Sequence, residues 1–239
     1  MLFRKHYLDI VTPDDRVWII YVVELRAIGL AVRAAGVFRS AAAGQDSRST
    51  LLDVSDPTRA GGATCWSSRS LGVSYRIERT ITGPAVELLP SGGLRWDCHT
   101  LRGDVTLTDR GERVEGTGYA ETIDASVPPW EYPWDTLAWG RVHEGDGAFV
   151  WTVLDGGGSP KQVFADGARA HTVGEVLAME TIRELRRGRI GETVLSALPF
   201  AEKLPGRILG LSETKIFGRS ASGGRAIFER VCFPPREPR

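Results

Sequence analysis

The chain is poor in the residues that build metal and redox centres. Its 239 residues include only three cysteines and four histidines. Cys65, Cys98 and Cys232 stand far apart, form no CxxC and are odd in number, which argues against a zinc site or a disulfide framework. A reducing compartment fits that usage. Charge of one sign is also missing. The 30 basic and 30 acidic side chains cancel, so nothing points to nucleic acid or an anionic membrane. Long apolar runs are absent too. The richest, Val17 to Phe38, is broken by Glu24, Arg26 and Arg33, whereas a spanning helix needs about 20 nearly uncharged residues. The opening MLFRKHYLDIVTPDDR has no apolar run behind its basic residues and reads as no secretory signal, so a cytoplasmic location is expected. There is no GxSxG, P-loop, HExxH, or GxGxxG between strand and helix. Asp155-Gly156-Gly157-Gly158 is a turn that enters no helix and gives no phosphate cradle. No metal and no cofactor is expected.

What the chain has is β-strand rhythm. Hydrophobic residues make up 42% and charged residues 25%, enough for a full core under an ordinary surface. Tyr7–Val11, the turn Thr12-Pro13-Asp14-Asp15 and Arg16–Val23 read as strand, turn, strand, and a third strand follows from Leu30 to Phe38. Residues 40–50, SAAAGQDSRST, are small and polar and read as a loop. Val73, Tyr75 and Ile77 alternate with polar residues at period two. Hairpins are expected around Pro90-Ser91-Gly92-Gly93, at Asp109-Arg110-Gly111 and at Ser220 to Gly224. Ala148 to Leu154 reads as a buried strand and Gln162 to Ala170 as another. Val176 to Leu185 continues the sheet or forms a helical turn. Gly191 to Leu204 is the candidate for one short helix, stopped by Pro205-Gly206. The fold class is all-β and antiparallel.

Residues 116 to 156 concentrate the aromatics. Four of the seven tryptophans, Trp130, Trp134, Trp139 and Trp151, lie there beside Tyr119, Tyr132, Glu121, Arg141 and His143. Such rings either fill a β core or wall a site for an apolar ligand with one or two polar groups. Within this stretch GTGYAE, then PPW, then LAWGRV resembles the central signature of the carotenoid 1,2-hydratase family (hydroxyneurosporene synthase), which has tocopherol-cyclase and fungal Diels–Alderase-like relatives. The hydratases read Gly-Tyr-His-Asp-His-Asn-Trp-Gly here, followed by Trp-Gly-Arg. Gly118, Tyr119, Trp139, Gly140 and Arg141 are kept. Ala120 replaces a His, Glu121 the Asp, and Thr122-Ile123 a His-Asn pair. The hydratases also carry a His near the Trp matched by Trp96, where this chain has Leu94, and period-two spacing puts His99 on the face opposite Trp96.

The resemblance implies two lipocalin-like β-barrels packed side by side, trimmed to fit this length, at 1–125 and 126–239. It also implies a catalytic acid at Glu121 with Tyr119 beside it: the acid protonates a carbon–carbon double bond and water captures the cation. Period two places Tyr119 and Glu121 on one strand face, and an apolar pocket would keep a carboxyl protonated near neutrality. The alternative is a structural ion pair of Glu121 with Arg141. Trp96, Trp130, Trp134, Trp139, Arg141, His143 and Trp151 are the expected ligand-binding residues. The lost imidazoles tell against literal carotenoid hydration and suit a Diels–Alderase-like variant, in which shape and a few hydrogen bonds suffice. The leading expectation is thus a cofactor-free hydratase or cyclase acting on an apolar isoprenoid- or polyketide-like molecule. A carrier that binds such a molecule unchanged, or a filled barrel that docks proteins, explains the same rings.

Overall fold

In a computed structural model, residues 2–27, 30–89, 91–128, 131–156, 161–166, 179–189 and 210–234 are described. The strands of Met1–Pro128 are β1 (Leu2–Val11), β2 (Val17–Ala27), β3 (Leu30–Ala41), β4 (Gly44–Thr50), β5 (Thr58–Ala60), β6 (Ala63–Ser68), β7 (Val73–Ile81), β8 (Ala85–Glu87), β9 (Leu94–Asp109) and β10 (Glu112–Ala125). Those of Pro129–Arg239 are β11 (Thr136–Glu144), β12 (Gly147–Asp155), β13 (Lys161–Asp166), β14 (Glu180–Arg189), β15 (Ser212–Arg219) and β16 (Arg225–Cys232). Each segment forms a compact unit with its own antiparallel sheet, in the orders β4-β3-β2-β1-β10-β9-β7-β6-β5, with β8 on β9, and β13-β12-β11-β16-β15-β14.

Turn chemistry sets the register. At Asp109–Glu112, Arg110 and Gly111 both take positive φ (51° and 86°), as a two-residue hairpin with the right-handed strand twist requires. Gly61 and Gly62 do the same between β5 and β6 (58° and 75°). Residues 40–50 are not a loop: β3 runs on to Ala41, and Gly44–Thr50 pairs with it from Gly44 to Thr50. Their polarity reflects position at the sheet edge, where one side of the backbone is unpaired and most side chains face water. Leu94–Asp109 is one continuous strand whose pairing with β10 carries two bulges. Glu180–Arg189 is a strand and not a helical turn. The expected helix at 191–204, and residues 167–170 of the expected strand, lie outside the described residues.

Period two gives the first sheet two distinct faces. Leu8, Ile10, Trp18, Ile20, Val22, Val37, Trp66, Tyr75, Ile77, Val105, Leu107 and Ala120 belong to one closed cluster of buried side chains. Their neighbours Tyr7, Asp9, Tyr119 and Glu121 point the other way and are buried too. In the second unit Val142, Phe149, Trp151 and Ala226 are buried together, with Ala138, Val153, Met179 and Phe228 packed against them but only partly covered. Gly140 lies opposite Trp151 in the β11–β12 ladder. A Cβ there would sit 2.7 Å from Trp151 Cε2 and 2.9 Å from Phe228 Cβ. Gly140→Ala is therefore expected to lower the stability of the second unit by about 1–3 kcal/mol through overpacking, read as a reduced urea midpoint with unchanged slope.

Candidate functional site

Tyr119 and Glu121 are two residues apart on β10, so both side chains project from one face. The Tyr119 hydroxyl donates to Glu121 Oε2 at 2.7 Å. Trp96 Nε1 donates to the same oxygen at 2.5 Å. Glu121 and Trp96 are almost wholly buried, and Tyr119 fully. Two irregularities in the β9–β10 ladder bring Trp96 there. Gly118 pairs with Gly103, Ala120 with Thr100 and Thr122 with Asp97, so β9 spends extra residues opposite Tyr119 and again opposite Glu121. Bulges of this kind re-aim side chains. Being two, they restore the alternation of β9 against β10 and move its pairing by two residues, so that Trp96 stands opposite Ile123 in place of Ala125.

The neighbouring strand repeats the motif. Tyr7-Leu8-Asp9 on β1 mirrors Tyr119-Ala120-Glu121 on β10, and the antiparallel register sets Tyr7 against Glu121 and Asp9 against Tyr119. Tyr7 OH donates to Asp9 Oδ2 at 3.0 Å. The Tyr7 ring lies 5.4 Å from Tyr21 and 6.2 Å from Tyr119. Lys5 completes the group, with Nζ 3.9 Å from Glu121 Oε1 and 5.6 Å from the Tyr7 ring centre. Sequence reasoning missed Lys5, Tyr7 and Asp9. The available signal was the repeated Tyr-x-acid pattern, which an antiparallel pairing turns into a rectangle.

Burial, with the Glu121 charge adding to it, pushes the Tyr119 phenol well above its ordinary range. The same two causes raise the Cys98 thiol, whose Sγ is 3.3 Å from Tyr119 OH. Both stay protonated at neutral pH. An indole can only donate, so Oε2 accepts from Trp96 Nε1 as well as lying 2.7 Å from the Tyr119 hydroxyl, while Oε1 is the oxygen nearer Lys5 Nζ.

His99 is partly buried, and its Nδ1 lies 3.3 Å from Thr100 Oγ1. Burial lowers its imidazole to about 4, with Arg59 and His6 adding to the effect. Burial also lowers His6, against an opposing pull from Asp56. The unfolded chain, with histidine near 6.5, thus binds more protons than the folded one between pH 6.5 and 4. Stability is expected to fall as pH drops through that window, by about 1–2 kcal/mol from His99 between pH 7 and 5. His99→Gln should flatten that part of the Tm–pH curve, measured against wild type in the same buffers.

The remaining expected residues belong to the second unit. Trp139, Arg141 and His143 alternate along β11 on one face, and all are buried. Arg141 donates to the Arg225 carbonyl at 3.2 Å. Lys215, only 1% exposed, has Nζ 5.6 Å from the Trp139 ring centre and 2.5 Å from Glu229 Oε2. Trp151 sits opposite Gly140, so it lies on the other face of the same sheet. Trp134 packs against Tyr132, with ring centres 5.3 Å apart. Trp130 is outside the described residues. Glu121 belongs to the first unit, where Trp96, Tyr119 and Lys5 are its partners. Among the described residues no group of three or more His, Cys, Asp or Glu could hold a metal ion. No helix among them is long and apolar enough to cross a membrane.

No family model matches the chain, and no curated protein matches it in sequence. Solved structures do match it in fold. A Nitrosomonas europaea protein assigned as AttH is 11% identical with a TM-score of 0.52, over 97% of this chain and 92% of its own. CghA, solved with Sch210972, is 10% identical with a TM-score of 0.58, over 97% and 88%. Kievitone hydratase of Nectria haematococca covers the same shares at 9% identity and a TM-score of 0.48. The first two share the all-β, lipocalin-like architecture of this chain.

Proposed function

We propose that the chain is a cofactor-free enzyme that protonates a carbon–carbon double bond of an apolar isoprenoid- or polyketide-like molecule, leading to hydration or cyclisation. The observation that carries this reading is the Glu121 carboxyl, buried among Trp96, Tyr119 and Tyr7, with Oε2 occupied by two fixed donors. In this reading Oε1, the oxygen that neither donor occupies, is the one that hands a proton to the substrate. The alkene π pair takes that proton from Oε1, and a carbocation forms as the carboxylate is left behind. Lys5, 3.9 Å from Oε1, stabilises this negative charge, and the tyrosine faces offer electron density to the cation. Water then adds and returns a proton to Glu121, or an internal double bond closes a ring and a C–H proton returns there. Either way the acid is restored and atoms balance. The resemblance of GTGYAE to the hydratase signature and the likeness in fold to CghA support the same class, as analogy.

The test is a panel of polyenes and isoprenoids incubated with wild type and with Glu121→Gln, followed by mass and retention analysis of products. A mass gain of one water identifies hydration, and an isomer of new retention identifies cyclisation. Turnover equal in the two proteins would remove Glu121 from the chemistry.

A further inference from the structure

Cys98 is fully buried and takes no part in the proposed reaction. Its place is fixed through both of its backbone groups. Cys98 N donates to the Pro84 carbonyl at 2.9 Å, and the Cys98 carbonyl accepts from Gly83 N at 2.9 Å. Only glycine allows that approach, because a Cβ on residue 83 would stand 2.6 Å from the Cys98 carbonyl oxygen. Cys98 also falls in the second irregularity of β9, between Thr100, opposite Ala120, and Asp97, opposite Thr122. The thiol thereby comes to lie at Tyr119, with Sγ 3.3 Å from the hydroxyl.

Three polar groups thus meet in series: Cys98 Sγ, Tyr119 OH and Glu121 Oε2, with links of 3.3 Å and 2.7 Å. The phenol carries one hydrogen, and two neighbours compete for it. A carboxyl oxygen at 2.7 Å outcompetes a thiol sulfur at 3.3 Å, since sulfur accepts only weakly. The phenolic hydrogen therefore goes to Oε2. Among the described residues, Tyr119 OH is the one hydrogen-bond partner of Cys98 Sγ. Burial and the Glu121 charge keep the thiol protonated, so it has a hydrogen to give and the phenol oxygen to give it to.

We propose that Cys98 is a positioning residue for Glu121: its thiol donates to the Tyr119 oxygen and so commits the phenolic hydrogen to Glu121 Oε2. With Trp96 Nε1 on the same oxygen, the carboxyl is held with Oε1 as its free oxygen. Linked hydrogen bonds polarise one another, so the thiol also strengthens the Tyr119 link. Cys98 acts through Tyr119 and makes no bond to the carboxyl itself. The hydrogen-bond chain exists without any reaction, whereas its consequence for turnover rests on the acid role proposed for Glu121.

The S–H stretch of a thiol absorbs in an infrared window clear of other protein bands, and donation to an acceptor lowers its frequency. Cys98→Ala identifies the Cys98 band by difference from wild type. In Tyr119→Phe, which removes the acceptor, that band should move to higher frequency. Fluorotyrosine incorporated in place of tyrosine draws electron density from the phenol oxygen and should move the band the same way by less, which keeps the test open if Tyr119→Phe folds poorly. In the polyene assay Cys98→Ala should lower turnover about two- to threefold, the worth of one weak hydrogen bond. Cys98→Ser, whose hydroxyl donates from the same position, should recover most of it. A band unmoved by fluorotyrosine or in folded Tyr119→Phe would overturn the proposal, as would wild-type turnover in Cys98→Ala. The infrared measurement needs no substrate. Band shifts as expected, together with wild-type turnover in Glu121→Gln, would uphold the chain and remove the acid chemistry, so the two failures are told apart.

Discussion

Glu121→Gln is expected to lower turnover by about 10²–10⁴-fold, the usual worth of a positioned general acid, with little change in fold. The substitution suits the question because the amide matches the carboxyl in shape. Its carbonyl can take the place of Oε2 and accept from Trp96 Nε1 and Tyr119 OH. Its NH2 then stands where Oε1 was, toward Lys5, whose side chain keeps 22% exposure and can turn away. Proton donation is thus removed while both buried donors stay satisfied. Trp96→Phe makes the complementary change: the acid remains but loses the donor that fixes which oxygen carries its proton. A milder fall of about tenfold is expected there, the value of one hydrogen bond at the transition state. Steady-state product formation with a turned-over polyene separates the two, with circular dichroism to verify folding. If Trp96→Phe were as damaging as Glu121→Gln while Glu121→Asp stayed active, Trp96 would have the larger part.

The largest expected effect on stability lies in the second unit. Lys215 is 1% exposed, and its Nζ is 2.5 Å from Glu229 and 3.9 Å from Glu213, which Arg186 also bonds at 2.5 Å. Lys215→Met removes the central cation and leaves buried negative charge behind. Breaking one side of a buried pair costs about 3–5 kcal/mol, mostly through the uncompensated charge. The second unit is expected to lose about that much, with its Tm falling by more than about 10 °C. The double variant Lys215→Met/Glu229→Leu should recover most of the loss, because the desolvation cost of both ions vanishes together. A double variant no better than Lys215→Met would mean that packing around the lysine stem, and not its charge, sets the cost.

The β architecture was legible because alternation and turn residues are local signals. Val73, Tyr75 and Ile77 showed their period without any partner, and Arg110-Gly111 marked its hairpin. Tyr119 and Glu121 share a face for the same reason. Four things escaped a linear reading. The strand Gly44–Thr50 is polar because it is an edge, and its stability comes from backbone pairing with β3, which leaves no mark on side-chain composition. Trp96 meets Glu121 through the two bulges of β9, which together move its pairing two residues along β10. The separation of Trp139 from Trp151 depends on the β11–β12 register, set by the turn at Gly145-Asp146. A cluster of tryptophans close in sequence therefore looked like one wall and turned out to occupy two faces. Tyr7 and Asp9 were visible as letters, but their bearing on Glu121 required knowing that β1 pairs with β10.

That last pairing has a kinetic side. In the first unit the opening strand closes against the final one, and β11 closes against β16 in the second. Contacts so distant along the chain form late, because the intervening loop entropy must be lost before they contribute anything. While the chain is being synthesised, Tyr7 waits for Glu121, and the carboxyl waits for the bulged strand that brings Trp96. The group around Glu121 therefore comes into being only when the first sheet is complete, and a nascent or truncated chain ending before β10 would have strands and a partial core but no buried acid.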